Sequence, residues 1–208
     1  MTPLQMAGAY AVFANGGYAL EPYLIAKVED ARGMPLAETK RPATPPEERR
    51  VIDQRNAFLM DSMLRDVAVF GTGAAAGKTL GRSDIAGKTG TTSDAFDGWF
   101  AGYGGNVVAV AWMGYDDPKS LGGREFGATL SLPIWIDYMK VALAKRPVQE
   151  RAAPEGVMQD GGDWIYSEYA GVDDFKFIDV TPDAPAAGAE APTDAPAAEP
   201  EAAPPPAG

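Results

Sequence analysis

Two runs near the middle of the chain constrain its fold more than any other feature. Asp97–Tyr103, "DGWFAGY", and Asn106–Tyr115, "NVVAVAWMGY", are dense in Val, Ala, Phe, Trp and Tyr, and only Gly104-Gly105 separates them. Aromatic and β-branched residues suit a pleated, half-buried surface, and paired glycines suit a tight hairpin turn. The two runs therefore predict a β-hairpin, and Ile85–Thr91 just before it reads as a further strand.

Helical signals flank these strands. Residues 2–15 read as an amphipathic helix, with Thr2 as N-cap, Pro3 at the first helical position and Gln5 completing a capping box. Leu4, Ala7, Tyr10, Ala11 and Ala14 form its apolar positions, and Gly16-Gly17 ends it. A second helix is expected from Gln54 to Val69, with Phe58, Leu59, Met63, Leu64 and Val67 inward. A third runs from Leu132 to Ala144, with Trp135, Tyr138, Met139 and Ala142 on one face and Pro147 beyond its end. Between them, Tyr18–Val28 reads as a short strand pair broken near Glu21-Pro22. Residues 30–50 read as a long polar connection, and residues 71–83 as a Gly- and Ala-rich loop. Three antiparallel strands with helices before and after give an α+β class, an antiparallel sheet flanked by helices.

Composition narrows the chemistry. A chain of 208 residues can build one domain with a sizeable core. Its net charge of −11 opposes a nucleic-acid partner, which needs a basic face, and opposes adsorption to an anionic membrane. There is no cysteine, hence no thiol nucleophile or disulfide, and no histidine, the commonest general base and metal ligand. No run of apolar residues is long enough to span a bilayer, and the first residues lack the features of a signal peptide. From Thr181 to Gly208 the sequence is almost all Ala, Pro, Glu, Asp and Gly, with no Lys or Arg after Lys176. That segment is expected to be a disordered acidic tail. The expected organisation is a folded part at 1–147, an irregular extension at 148–180 and the tail at 181–208.

Gly-Lys-Thr occurs twice, at Gly77-Lys78-Thr79 and Gly87-Lys88-Thr89. A phosphate-binding loop needs a glycine five residues before the Gly-Lys pair, so that backbone N–H groups wrap the phosphates at one radius. Thr72 and Arg82 occupy those positions. The loop should also follow a strand and open a helix, and neither copy has that context. Lys78 is thus read as a solvated loop lysine.

The second copy sits on a strand. There Lys88 and Gly90 face one side and Thr89 and Thr91 the other. Gly90 leaves room for close backbone approach, and such an edge can accept a peptide as an added strand. Lys88 supplies positive charge, and the threonine hydroxyls can hydrogen-bond a carboxylate.

The stretch "AGKTGTTSDAFDGWFAGY" resembles the third signature of the penicillin-recognising serine acyl-transferases, in which Lys-Thr-Gly lies on a strand beside the nucleophile. "TPLQMAGAYAVFANGG", "LMDSMLRDVAVFGTG", "VVAVAWMGYDDPKSLG" and "GATLSLPIWIDYMKVAL" resemble, in the same order, segments of the transpeptidase domain of class A penicillin-binding proteins of the 1A type. Together they cover about residues 2–145. The resemblance implies a partial serine β-lactamase/penicillin-binding transpeptidase fold. It implies acylation of a serine by a D-Ala-D-Ala stem peptide, transfer to an amine of a neighbouring strand, and acylation by β-lactams.

Residue by residue, the resemblance makes Lys88 the charge beside nucleophile and substrate carboxylate. It makes Thr89 and Thr91 carboxylate-binding hydroxyls, the Thr91 N–H half of an oxyanion hole, and Gly90 the point of close packing. Trp99 and Tyr103 are expected in the core or cleft wall. No cofactor or metal is implied. The implied partners are stem peptides, β-lactams and the rest of a longer parent at the periplasmic face of the inner membrane, one that also carries a glycosyltransferase.

Here the pattern departs from the family. None of Ser62, Ser83, Ser93, Ser120, Ser131 and Ser167 has Lys three residues on or Asn two residues on. The Ser-x-x-Lys and Ser-x-Asn motifs of the family are therefore missing. The expectation is a C-terminal fragment of such an enzyme, inactive alone, with strands left unpaired. A non-catalytic module that binds stem peptides is the competing reading.

Overall fold

The structure, a computed structural model, describes residues 1–40, 42, 45–123 and 125–171. The predicted acidic tail lies outside them.

In chain order the elements are α1 (Pro3–Ala14), β1 (Lys27–Glu29), β2 (Pro35–Glu38), α2 (Gln54–Val69), α3 (Ala74–Leu80), β3 (Ala86–Thr91), β4 (Asp97–Gly104), β5 (Val107–Gly114), α4 (Ser131–Leu143), β6 (Val157–Asp160) and β7 (Asp163–Tyr166). The predicted hairpin is β4–β5, and β3 joins it to make an antiparallel sheet ordered β3-β4-β5. Gly105 takes the turn at φ 53°.

The register sets the two faces. Thr89 opposes Phe100, and Phe100 opposes Ala111, on one face; Gly90 opposes Trp99, and Trp99 opposes Trp112, on the other. On the first face α4 packs through Leu132, Trp135, Ile136, Met139 and Leu143, with Phe100 and Ala111 beneath them. The Phe100 and Trp135 rings meet edge to face at 4.8 Å, and Trp135 Nε1 donates to the Ala109 carbonyl at 3.0 Å. Each such buried aromatic stabilises the fold by roughly 2–3 kcal/mol. On the second face Tyr10, Phe13 and Ala14 of α1 and Met60 and Leu64 of α2 pack near Ala86, Tyr103 and Val108.

The capping box of α1 forms as expected: Gln5 N–H donates to Thr2 Oγ1 at 3.2 Å, and Thr2 N–H to Gln5 Oε1 at 2.9 Å. Its apolar stripe is shallower than predicted, for no α1 residue is buried and Leu4 is 57% exposed. Met63 and Tyr138, both expected inward, are also exposed, because the contact faces of α2 and α4 stop short of them.

Three stretches differ from expectation in kind. The predicted loop at 71–83 contains helix α3, with Gly81 in the left-handed conformation as its stop. Alanine favours helix, and Gly77 allows α3 to touch α2: a Cβ there would lie 2.3 Å from the Ala68 carbonyl oxygen. Lys78 is exposed, but on that helix. The strand pair expected at Tyr18–Val28 is displaced. Tyr18 makes only an isolated bridge with Arg50, while β1 and β2 form a hairpin across the stretch read as a polar connection. Asp30 turns it, accepting from the N–H groups of Arg32 and Met34 at 2.8 and 2.9 Å.

In the stretch expected to be irregular, β6 and β7 form a hairpin turned by Gly161-Gly162, both at positive φ. It docks on α2 through Trp164, whose ring meets Phe58 at 4.9 Å, and through Glu168, which pairs with Arg55 at 2.8 Å. Upstream, the buried Asp84 carboxylate accepts from Arg82 Nε and Nη2 and from the N–H groups of Gly105 and Gln149. Arg82 also donates to the carbonyls of Arg146 and Pro147. This cluster ties the chain after α4 to the β4–β5 turn.

Candidate active site

β3 lies at the edge of its sheet, hydrogen-bonded to β4 on one side only among the described residues. Its ladder alternates, as an antiparallel pair must. Beyond its end, Thr92 N–H donates to the Asp97 carbonyl at 3.1 Å. At its start, the Ala86 carbonyl lies against Gly102 and the Ala101 carbonyl against Gly87. Lys88, Gly90 and Thr92 thus pair with β4. The N–H and C=O groups of Thr89 and Thr91 point to the open edge.

At that edge Lys88, Thr89 and Thr72 converge. Lys88 Nζ donates to the Thr89 carbonyl and to Thr89 Oγ1, each at 3.0 Å, and to Thr72 Oγ1 at 3.3 Å. The two threonine hydroxyls are 2.8 Å apart. Residue alternation puts the Lys88 and Thr89 side chains on opposite faces, but the ammonium curls round the strand edge to meet the hydroxyl. Gly90 packs against the Cβ of Trp99. Thr91 Oγ1 accepts from the Gly127 N–H at 3.0 Å, which leaves its own proton free to be donated.

Below β3 the turn is tight. Asp94 and Ala95 adopt positive φ, at 59° and 53°, which non-glycine residues seldom do. The surroundings hold them there: Ser120 Oγ donates to the Asp94 carbonyl at 2.8 Å and Leu121 N–H to the Ala95 carbonyl at 2.8 Å. The carboxylate of Asp97 accepts from Trp112 Nε1 at 2.8 Å, so the half-buried Trp99–Trp112 pair is fixed beside Gly90. Tyr103 is buried at the other end of β4, its hydroxyl donating to Asp61 at 2.7 Å. Burial, the Asp61 charge and this hydrogen bond all push the phenol up from its ordinary range.

The structure thus brings Lys88, Thr89, Gly90 and Thr91 to one open edge. It adds two residues that sequence reasoning passed over, Thr72 and Gly127. In the sequence Thr72 stands out only as the residue where a phosphate loop would need glycine. Gly127 comes to β3 from far along the chain, and no local signal marks it. Of the serines, Ser131 is buried and donates to the Gly98 carbonyl at 2.7 Å, a packing role. Among the described residues no helix is long and apolar enough to cross a membrane.

Comparison with known proteins identifies the family and the fold. Residues 1–134 match the family model of the penicillin binding protein transpeptidase domain. Penicillin-binding protein 1A of Neisseria lactamica is 42% identical over 178 residues, covering 86% of this chain and 22% of that protein. The protein of the same name from Pseudomonas aeruginosa is 38% identical over 203 residues, covering 76% of this chain and 25% of that one. Among solved structures, Haemophilus influenzae penicillin-binding protein 1A superposes with a TM-score of 0.69 at 33% identity, over 80% of this chain and 32% of that chain. Mycobacterium tuberculosis PonA1 superposes with a TM-score of 0.62 at 27% identity, over 77% of this chain and 42% of that chain. The chain spans about a quarter of the length of the curated relatives it matches. The match covers α1, α2, α3 and the sheet that carries Lys88–Thr91, and on that ground the chain belongs to the penicillin binding protein transpeptidase domain family.

Proposed function

We propose that the chain is the C-terminal part of a peptidoglycan D,D-transpeptidase of the penicillin-binding protein 1A kind, in a parent that cross-links stem peptides through a serine acyl-enzyme. The observation that carries the reading is the open edge of β3 inside a transpeptidase-family fold. There the Lys88 ammonium, the hydroxyls of Thr89 and Thr91 and a free strand edge lie together. A PonA1 structure was solved in complex with penicillin V, and it superposes here with a TM-score of 0.58 at 28% identity.

In this reading a peptide ending in D-Ala-D-Ala lies along β3 as an added strand. Its terminal carboxylate meets the Lys88 ammonium and the hydroxyls of Thr89 and Thr91. The Thr91 N–H donates to the scissile carbonyl oxygen as negative charge develops on it, a type of contact contributing about 3 kcal/mol in other enzymes. Gly90 lets the backbones close together. The acylated serine is supplied by a Ser-x-x-Lys segment of the parent outside these 208 residues. The parent acts at the periplasmic face of the inner membrane and carries a glycosyltransferase as well.

Removing the nucleophile of a serine hydrolase costs about a millionfold in turnover. Expressed alone, the 208-residue chain is therefore expected to form no covalent penicillin adduct. The test is intact-mass analysis after incubation with benzylpenicillin, beside the complete product of the same reading frame. An adduct on the complete product that maps to a serine outside this chain supports the reading. A stable acyl adduct on the isolated chain, or none on the complete product, overturns it.

A further inference from the structure

We propose that Thr72 is a positioning residue of the β3 edge: its hydroxyl orients the Thr89 hydroxyl and the Lys88 ammonium to hold a peptide's terminal carboxylate. The inference rests on the carboxylate-binding reading of β3 and adds a residue that reading does not contain. It stands first on proton counting. An ammonium only donates, so both Thr72 Oγ1 and Thr89 Oγ1 act as acceptors toward Lys88 Nζ, at 3.3 and 3.0 Å. The two hydroxyls are 2.8 Å apart, so one donates to the other. Two hydroxyl protons less one leave a single O–H not used within the trio, while the three ammonium N–H groups are taken by the two hydroxyls and the Thr89 carbonyl, so Lys88 acts on a ligand through its charge. A neutral acceptor or an anion fits that O–H, and the adjacent ammonium selects the anion.

The placement of Thr72 is built rather than incidental. The Gly71-Thr72-Gly73 loop is pinned to the end of α2: Gly71 N–H donates to the Asp66 carbonyl and Gly73 N–H to the Val67 carbonyl at 3.1 Å. Neither glycine has spare room. A Cβ at 71 would lie 2.8 Å from the Val67 Cα, and one at 73 would lie 3.3 Å from both the Phe100 ring and the Val67 carbonyl oxygen. The loop therefore presents Thr72 from a fixed platform, with Phe100 of the core beneath it. Thr72 itself is exposed, as a residue facing a ligand must be.

The test uses the 208-residue chain and NMR titration with N-acetyl-D-Ala-D-Ala, its C-terminal amide and N-acetyl-L-Ala-L-Ala. Saturable shifts at Thr89 and Thr91 are expected with the acid and not with the amide. Thr72→Val keeps the side-chain shape and removes the hydroxyl; it is expected to weaken acid binding by at least about tenfold, the scale of one hydrogen bond to a charged group. Thr72→Ser keeps the hydroxyl and is expected to bind as the wild type does. The proposal is overturned if the wild type does not distinguish acid from amide, if Thr72→Val binds like the wild type, or if a folded Thr72→Ser weakens as much as Thr72→Val. If the L,L acid binds as well as the D,D acid, the carboxylate cradle stands and the stem-peptide reading falls.

Discussion

The backbone N–H of Gly127 donates to Thr91 Oγ1 at 3.0 Å, and the residue rests on β3 with no room for a side chain. A Cβ at 127 would lie 2.4 Å from the carbonyl oxygens of both Gly90 and Trp99. Backbone cannot yield as a flexible side chain can. Gly127→Ala is therefore expected to cost about 1–3 kcal/mol, as overpacking does, and to shift the amide signals of Gly90 and Thr91. Gly123→Ala is the control, for nothing lies within 4 Å of its added Cβ. Equal denaturation midpoints for the two variants would refute the tight approach at 127.

Tyr103 gives the chain an alkaline limit. Its phenol is held above its ordinary range by burial, by the Asp61 charge and by its hydrogen bond to Asp61. The unfolded chain releases that proton near pH 10 while the folded chain keeps it. Stability from this group is therefore complete below about pH 10 and falls as the pH rises beyond it. Tyr103→Phe is expected to lose about 1–3 kcal/mol at neutral pH, because Asp61 is left with Arg65 as its one remaining side-chain partner in the cluster. It should also flatten the alkaline decline. A wild-type profile between pH 9 and 11 parallel to that of the variant would count against this role.

Asp84 acts at the acid end. Burial raises its carboxyl, but the hydrogen bonds from Arg82, Gln149 and Gly105, with the Arg82 charge, outweigh burial and hold it below the usual range. A depressed carboxyl contributes stability above about pH 4, and that contribution is lost as pH falls through the folded value. Asp84→Asn leaves the Arg82 guanidinium, only 12% exposed, without its counter-charge, and is expected to cost about 3–5 kcal/mol. Hydrogen exchange should speed up at Gln149 and Gly105 before the rest of the sheet. Unchanged exchange at both amides would show that the clamp is not holding the segment after α4.

β5 has an open outer edge among the described residues, and its sequence from Val107 to Trp112 is wholly apolar. Beside it, Ala109–Trp112 and Ile134, Trp135 and Tyr138 of α4 line a cavity of about 310 Å³. An unpaired apolar edge templates association. The isolated chain is expected to associate as its concentration rises, and Val110→Lys, which puts a charge on that edge at a residue outside both core clusters, to reduce it. Light scattering that shows a monomer with a cooperative melt at all concentrations would contradict this.

How much was legible depended on how local the cause was. The α1 capping box and its stop at Gly16-Gly17 lie within a few residues of each other, and so do the β4–β5 hairpin and the strand carrying Lys88-Thr89-Gly90-Thr91. Each follows from spacing alone. The α3 helix was hidden because glycines that mark a loop by composition serve here as contact points: Gly77 meets α2 and Gly81 ends the helix. The β6–β7 hairpin is anchored by Phe58 and Arg55, which lie about a hundred residues upstream.

The same division runs through the site. The sequence by itself determined which groups β3 carries, because alternation along a strand is a property of the backbone. Tertiary structure alone decided what meets them. Thr72 arrives from the end of α2, Gly127 from the segment before α4, and Asp97 with the two tryptophans from the partner strands. Those approaches depend on how helices and sheet pack, through contacts between residues distant in the chain, and no local pattern encodes that geometry.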